Sequence, residues 1–167
     1  MLQEAVLDKV VNQMKADENL IGILLFGSVA SKTHTWKSDI DLIFFYENHQ
    51  PSSGLVDRYV DKIQVQYFFT TLDTLTQNQA SVPYLLHLFC NGKILFDRHG
   101  TVAPVIDQLK QYFAVHPEIE ADWVRFKELH QVEKKGPACA QTTIIERWDE
   151  LEAKYSEGTR KRTFFRM

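Results

Sequence analysis

Apolar residues open the chain on a helical rhythm. Val6, Val10 and Met14 lie four apart with Leu7 and Val11 beside them, while Glu4, Asp8, Lys9 and Lys15 fall on the other side. That spacing predicts an amphipathic helix over residues 2–16. The rhythm then changes: Leu20 to Phe26 is an aliphatic run between Asn19 and Gly27, too short for a typical buried helix and suited to a buried strand. Ser28 to Ser31 can begin a short helix, and the polar residues 32–37 return the chain to a second strand over 38–46. Alternation there puts Asp39, Asp41 and Ile43 on one face and Ile40, Leu42 and Phe44 on the other, which is the expected core face.

Turn formers at Pro51, Ser52, Ser53 and Gly54 predict an exposed loop over 47–54. A short helix or strand through Tyr59 follows, then a third strand over 62–70, expected near the centre of the sheet. Residues 71–78 and 81–90 read as helices, the second with Ser81 as candidate N-cap, followed by a turn at Asn91-Gly92, an extended segment over 93–97 and a helix over 103–113. Beyond Pro117 the pattern predicts helices over 117–135 and 139–156, separated at Gly136-Pro137. The stripe Ile144, Trp148, Leu151 and Tyr155 in the later one calls for a packing partner, either the preceding helix or a second copy of the chain. The expected fold class is therefore α/β (α+β), a small mixed sheet flanked by helices over residues 1–115, with a helical extension over 116–167.

Composition narrows this picture. A length of 167 residues suits one compact domain, and 44% hydrophobic with 25% charged residues is the balance of a chain with a packed core. The net charge of -3 speaks against the basic footprint of a duplex-binding protein and favours a small anionic ligand. Arg160, Lys161, Arg162 and Arg166 cluster near the C-terminus and read as a solvated end. Cys90 and Cys139 are far apart, with no Cys-x-x-Cys arrangement, and are expected to be reduced, inert thiols. The first residues lack the organisation of a secretory signal, and no stretch approaches the ~20 apolar residues of a membrane span. A cytoplasmic protein with no membrane partner is expected.

The candidate chemistry lies between the first two strands. Asp39 and Asp41 are separated by one residue on a strand, which sets their Cβ atoms ~7 Å apart on one side. Such carboxylates repel one another unless a cation lies between them, and Mg²⁺ is held by one or two carboxylates together with substrate phosphates. Gly27 lets the backbone approach a phosphate closely, and Ser28 adds a hydroxyl and an amide where a helix begins. Strand, Gly27-Ser28, short helix and then Asp39 and Asp41 can thus converge on one metal-bound triphosphate.

The segment LLFGSVASKTHTWKSDIDLIFFY resembles the signature of the DNA polymerase β-type nucleotidyltransferase superfamily, a Gly-Ser turn followed by an Asp-x-Asp strand. It is most similar to the small members, such as the kanamycin, lincosamide and minimal nucleotidyltransferases. The resemblance covers residues 21–46 closely and extends more weakly to about residue 113, where NGKILFD looks like a later extended segment of the family. It implies that Gly27 and Ser28 hold the terminal phosphates of ATP and that Asp39 and Asp41 ligate two Mg²⁺ ions as the catalytic carboxylates. An acceptor hydroxyl of a small molecule, protein or RNA would attack the α-phosphorus, and AMP would be transferred with release of pyrophosphate. The family also implies a third carboxylate on a following strand. The matching strand here reads KIQVQYFF, with Gln64 or Gln66 where the acid is expected, and glutamine neither accepts a proton as a base nor adds charge. Asp57 and Asp61 lie nearby, Asp61 on the other face from the two glutamines by alternation. Two readings stay open: a transferring enzyme, or a nucleotide-binding or partner-binding module of the same fold, working with a helical protein partner or as a homodimer.

Overall fold

The structure, a computed structural model, describes residues 2–49, 51, 55–77, 89–121 and 124. The elements run α1 (Leu2–Met14), β1 (Leu20–Phe26), α2 (Gly27–Ala30), β2 (Ile40–Tyr46), β3 (Leu55–Val60), β4 (Ile63–Thr71), α3 (Leu72–Gln77), β5 (Lys93–Asp97) and α4 (Val102–Ala114). The strands form one five-stranded mixed sheet in the order β3-β4-β2-β1-β5. β1 pairs antiparallel with β2 and with β5, β3 pairs antiparallel with β4, and β2 lies parallel to β4. The sequence expectation of a small mixed sheet flanked by helices holds. The third predicted strand is β4, an interior strand that adjoins the central β2 and is paired on both edges.

The strand carrying Asp41 is buried on both faces, which corrects the one-sided core expected for it. Ile40, Leu42 and Phe44 belong to a cluster with Val6, Val10 and Val11 of α1. Ile43 and Phe45 belong to a second cluster with Val102, Ile106, Leu109 and Phe113 of α4 and Leu75 of α3. A central strand covered by helices on each side reads as a continuous apolar run, as IFF in IDLIFFY does. Gly22 on β1 lets α4 approach, since a Cβ there would run into the Val102 side chain and come within 3.3 Å of the Phe96 carbonyl oxygen.

Two polar devices fix the helices to the sheet. The Asp97 carboxylate accepts from the amides of Thr101, Val102 and Ala103 at 2.9, 3.1 and 3.0 Å, satisfying amides that the first turn of α4 leaves without helical partners. The Arg98 guanidinium donates to the carbonyls of Leu20, Lys15 and Asp17 at 2.8, 3.1 and 3.0 Å, closing the corner between α1 and β1. Of the predicted later helices, the described residues 117–121 are helical and Ile119 is buried in the second core cluster. Apart from Val124, which is helical and exposed, the rest of both helices, and Cys139, lie outside the described residues, as does the predicted helix over 81–90 apart from Phe89 and Cys90. Cys90 is buried, and desolvation holds its thiol up at about 12, which fits the inert thiol expected of it. Among the described residues no helix is long and apolar enough to cross a membrane.

Candidate functional site

Gly27 ends β1 with φ of +70°, a left-handed conformation that glycine adopts without steric cost. The turn is tightened from inside: the Gly27 carbonyl accepts from the Ser31 amide at 3.2 Å and from its hydroxyl at 3.1 Å, and the Ser28 carbonyl accepts from the Thr33 amide at 3.0 Å. The single helical turn that contains Ser28 lies against β2. Phe26 and Asp41 are opposed residues in the β1–β2 ladder, so the turn and the carboxylate strand meet directly. A Cβ on Gly27 would collide with the Asp41 carboxylate and come within 3.0 Å of its Cγ. The close approach expected of a glycine at this position is therefore an approach to Asp41 itself.

Asp39 precedes β2, which begins at Ile40, so it occupies the loop end just outside the strand predicted to contain it. Both carboxylates are half-buried. Desolvation by burial, reinforced by the negative charge of Asp39, pushes the Asp41 carboxyl up to about 7. Among the described residues no basic side chain forms an ion pair with Asp41. The ladder gives its other neighbour: Asp41 opposes Gln66 of β4, and Gln66 in turn opposes Asp57 of β3. These residues project from the same face of the sheet. Gln66 thus stands beside Asp41, and Asp57 lies one strand further out, about 9 to 10 Å away by strand spacing.

Gln64 is turned to other use, its amide donating to the Asp57 carboxylate at 2.8 Å. Asp61 is removed from the site altogether, in the β3–β4 turn with φ of +48° and in an ion pair with Lys9 at 2.9 Å. Among the described residues, no group of three or more His, Cys, Asp or Glu side chains is placed to hold a metal ion. Lys37 lies 4.9 Å from the centroid of the Trp36 ring, and Ser38 accepts from the Thr35 amide at 2.9 Å, so both shape the loop that leads to Asp39. Sequence reasoning passed over Trp36, although a lone tryptophan in a polar loop between the two halves of the site was the available signal.

A Gly-Ser turn and a carboxylate-bearing central strand on a five-stranded mixed sheet are the arrangement of a nucleotidyltransferase-type domain. A family model of the polymerase β nucleotidyltransferases matches residues 8–101, more than half of the chain, and the protein belongs to that family. Among solved structures it is similar to a nucleotidyltransferase-like protein from Exiguobacterium sibiricum 255-15, at 12% identity and a TM-score of 0.48 over 97% of this chain and 69% of that one. No curated protein matches the sequence.

Proposed function

We propose that the site formed by Gly27, Ser28, Asp39 and Asp41 binds ATP with Mg²⁺ and transfers AMP to an acceptor hydroxyl. The observation that carries this reading is the convergence of the Gly27 turn on a half-buried Asp41 whose carboxyl is raised to about 7. The donor set fits a hard cation: two carboxylates in one chain segment, uncompensated by any basic side chain among the described residues. Asp39 and Asp41 would hold the metal, and Gly27 and Ser28 would receive the terminal phosphates. Magnesium, when bound, supplies neutralisation of the triphosphate and of the charge that develops as pyrophosphate leaves. In the reaction the acceptor oxygen forms a bond to the α-phosphorus, the bond to the pyrophosphate oxygen breaks, and the hydroxyl proton passes to water. The chain's own part is positioning, for which a central strand and a tight turn are suited.

A specific observation favours a second reading, in which nucleotide is bound and not transferred. Gln66 occupies the position beside Asp41 where the resemblance implies an acid, and Asp57 is a full strand away. Calorimetric titration with ATP and Mg²⁺, followed by incubation of labelled ATP with candidate acceptors, separates the two. Saturable binding with pyrophosphate release supports the transferase, and binding alone supports the module. The Asp39→Asn, Asp41→Asn double variant is expected to lose metal-dependent binding, and absence of binding in the unaltered protein would remove both readings.

A further inference from the structure

On the other side of α2 from the carboxylates lies an open groove of about 730 Å³, walled by the first turns of α1, by α2 and by the loop 32–36. Its size is that of a small-molecule site. The floor includes Leu25 and Val29. Leu25 packs in the core on the α1 face, whereas Asp41 alternates with Leu42 and faces the α4 side, so the groove and the candidate nucleotide site lie on opposite faces of the sheet. Lys93 opposes Leu25 in the β1–β5 ladder and therefore projects to the groove side.

Three further features mark it as a ligand site and indicate its occupant. Trp36 lines the groove while remaining 77% exposed, a large ring presented to solvent. Lys32 and Lys93 supply two positive charges and form no ion pair among the described residues, against the single acid Glu4 in the lining. His34 also lines the groove, and its Nδ1 is buried without a hydrogen-bond partner among the described residues. The loop that carries Trp36 and His34 is tied to α1 by the buried Gln3, whose amide donates to the Thr35 carbonyl at 3.1 Å. We infer that this groove binds a small planar aromatic anion, its ring stacked on Trp36 over the apolar floor and its charge on Lys32 and Lys93. This binding is independent of the nucleotide reading, since it uses none of Gly27, Ser28, Asp39 or Asp41.

The test uses anilinonaphthalene sulfonate as probe on the full chain, with neutral phenylnaphthylamine as the uncharged comparison. Calorimetry is expected to give one saturable site for the sulfonate, at least tenfold tighter than the neutral ring and weakened by added salt. Trp36→Ala and the Lys32→Ala, Lys93→Ala double variant are each expected to weaken it tenfold or more, with circular dichroism and melting unchanged because all three side chains are exposed. The Asp39→Asn, Asp41→Asn variant should bind the sulfonate as the unaltered protein does. Absence of saturable binding, equal affinity for the two probes, or affinity unmoved by the Trp36 and lysine changes would overturn the inference. So would a Trp36→Ala change that altered only the oligomeric state, which would assign the indole to a contact between copies of the chain.

Discussion

Asp41 is a group whose surroundings favour its neutral form. Its carboxyl ionises at about 7 in the folded protein against an ordinary 3.8, so the folded state holds this proton more tightly than the unfolded chain does. The contribution to stability is therefore complete below about pH 4, declines as pH rises toward 7 and is lost above it. Asp41→Asn removes the ionisation and should leave a protein that melts higher than the unaltered one at pH 8 and nearly alike at pH 4. Full conversion of the rise would be ~4 kcal/mol, and partial access to solvent reduces it to ~2 kcal/mol, which parallel thermal melts across this range would measure. Gly27 is the neighbour that makes room for this carboxyl. Gly27→Ala meets both the left-handed φ of +70° and the Asp41 carboxylate, and is expected to cost ~2 to 3 kcal/mol. In an Asp41→Ala background about half of that cost should disappear, because the collision is relieved while the backbone term stays. A double-mutant cycle by urea unfolding reads the coupling, and strict additivity would show that the two residues do not touch.

At the scale of elements, the start of α4 depends on a residue outside the helix. Asp97, the last residue of β5, accepts from three amides of the following turn, so Asp97→Ala leaves donors unsatisfied at a position that is partly buried. A loss of ~1 to 2 kcal/mol is expected in chemical denaturation, with Asp97→Asn recovering part of it. The strands and helices of this domain were largely legible, because each announces itself through apolar spacing and the turn chemistry of Gly27, Pro51 or Gly92. The pairing of the strands was not. Nothing in KIQVQYFF states that β4 lies parallel to β2 with β3 folded outside it, and only that register puts Gln66 beside Asp41 and Asp57 beyond Gln66. The burial of β2 on both faces was readable in Ile43, Phe44 and Phe45, but alternation of the flanking aspartates suggested a wet face. The two aspartates of the candidate site were legible as a motif, and their meeting with the Gly27 turn followed from the same spacing. The groove around His34 and Trp36 was not legible, since its walls come from α1, α2 and β5, which sequence order keeps apart.

Over the whole molecule, the sheet is closed by contacts between distant parts of the chain. The Arg98 guanidinium binds carbonyls 78, 83 and 81 positions earlier in sequence, and it works beside the Arg98 amide on the Ile21 carbonyl and the Lys15 ammonium over the Phe96 ring at the same α1–β1 corner. That separation has a kinetic meaning. Closing so long a loop is entropically unfavourable until β1, β2 and β5 are already assembled, so the clamp belongs to the late side of the folding barrier. Arg98→Met, which keeps an apolar stem beside Phe96 and removes the donors, should leave the refolding rate within about twofold and accelerate unfolding tenfold or more. Stopped-flow chevron plots would show the effect in the unfolding limb, and a matching fall in the folding rate would place the clamp in the nucleus instead. The guanidinium at the α1–β1 corner thus acts as a latch on escape, setting how long the domain stays folded rather than how fast it forms.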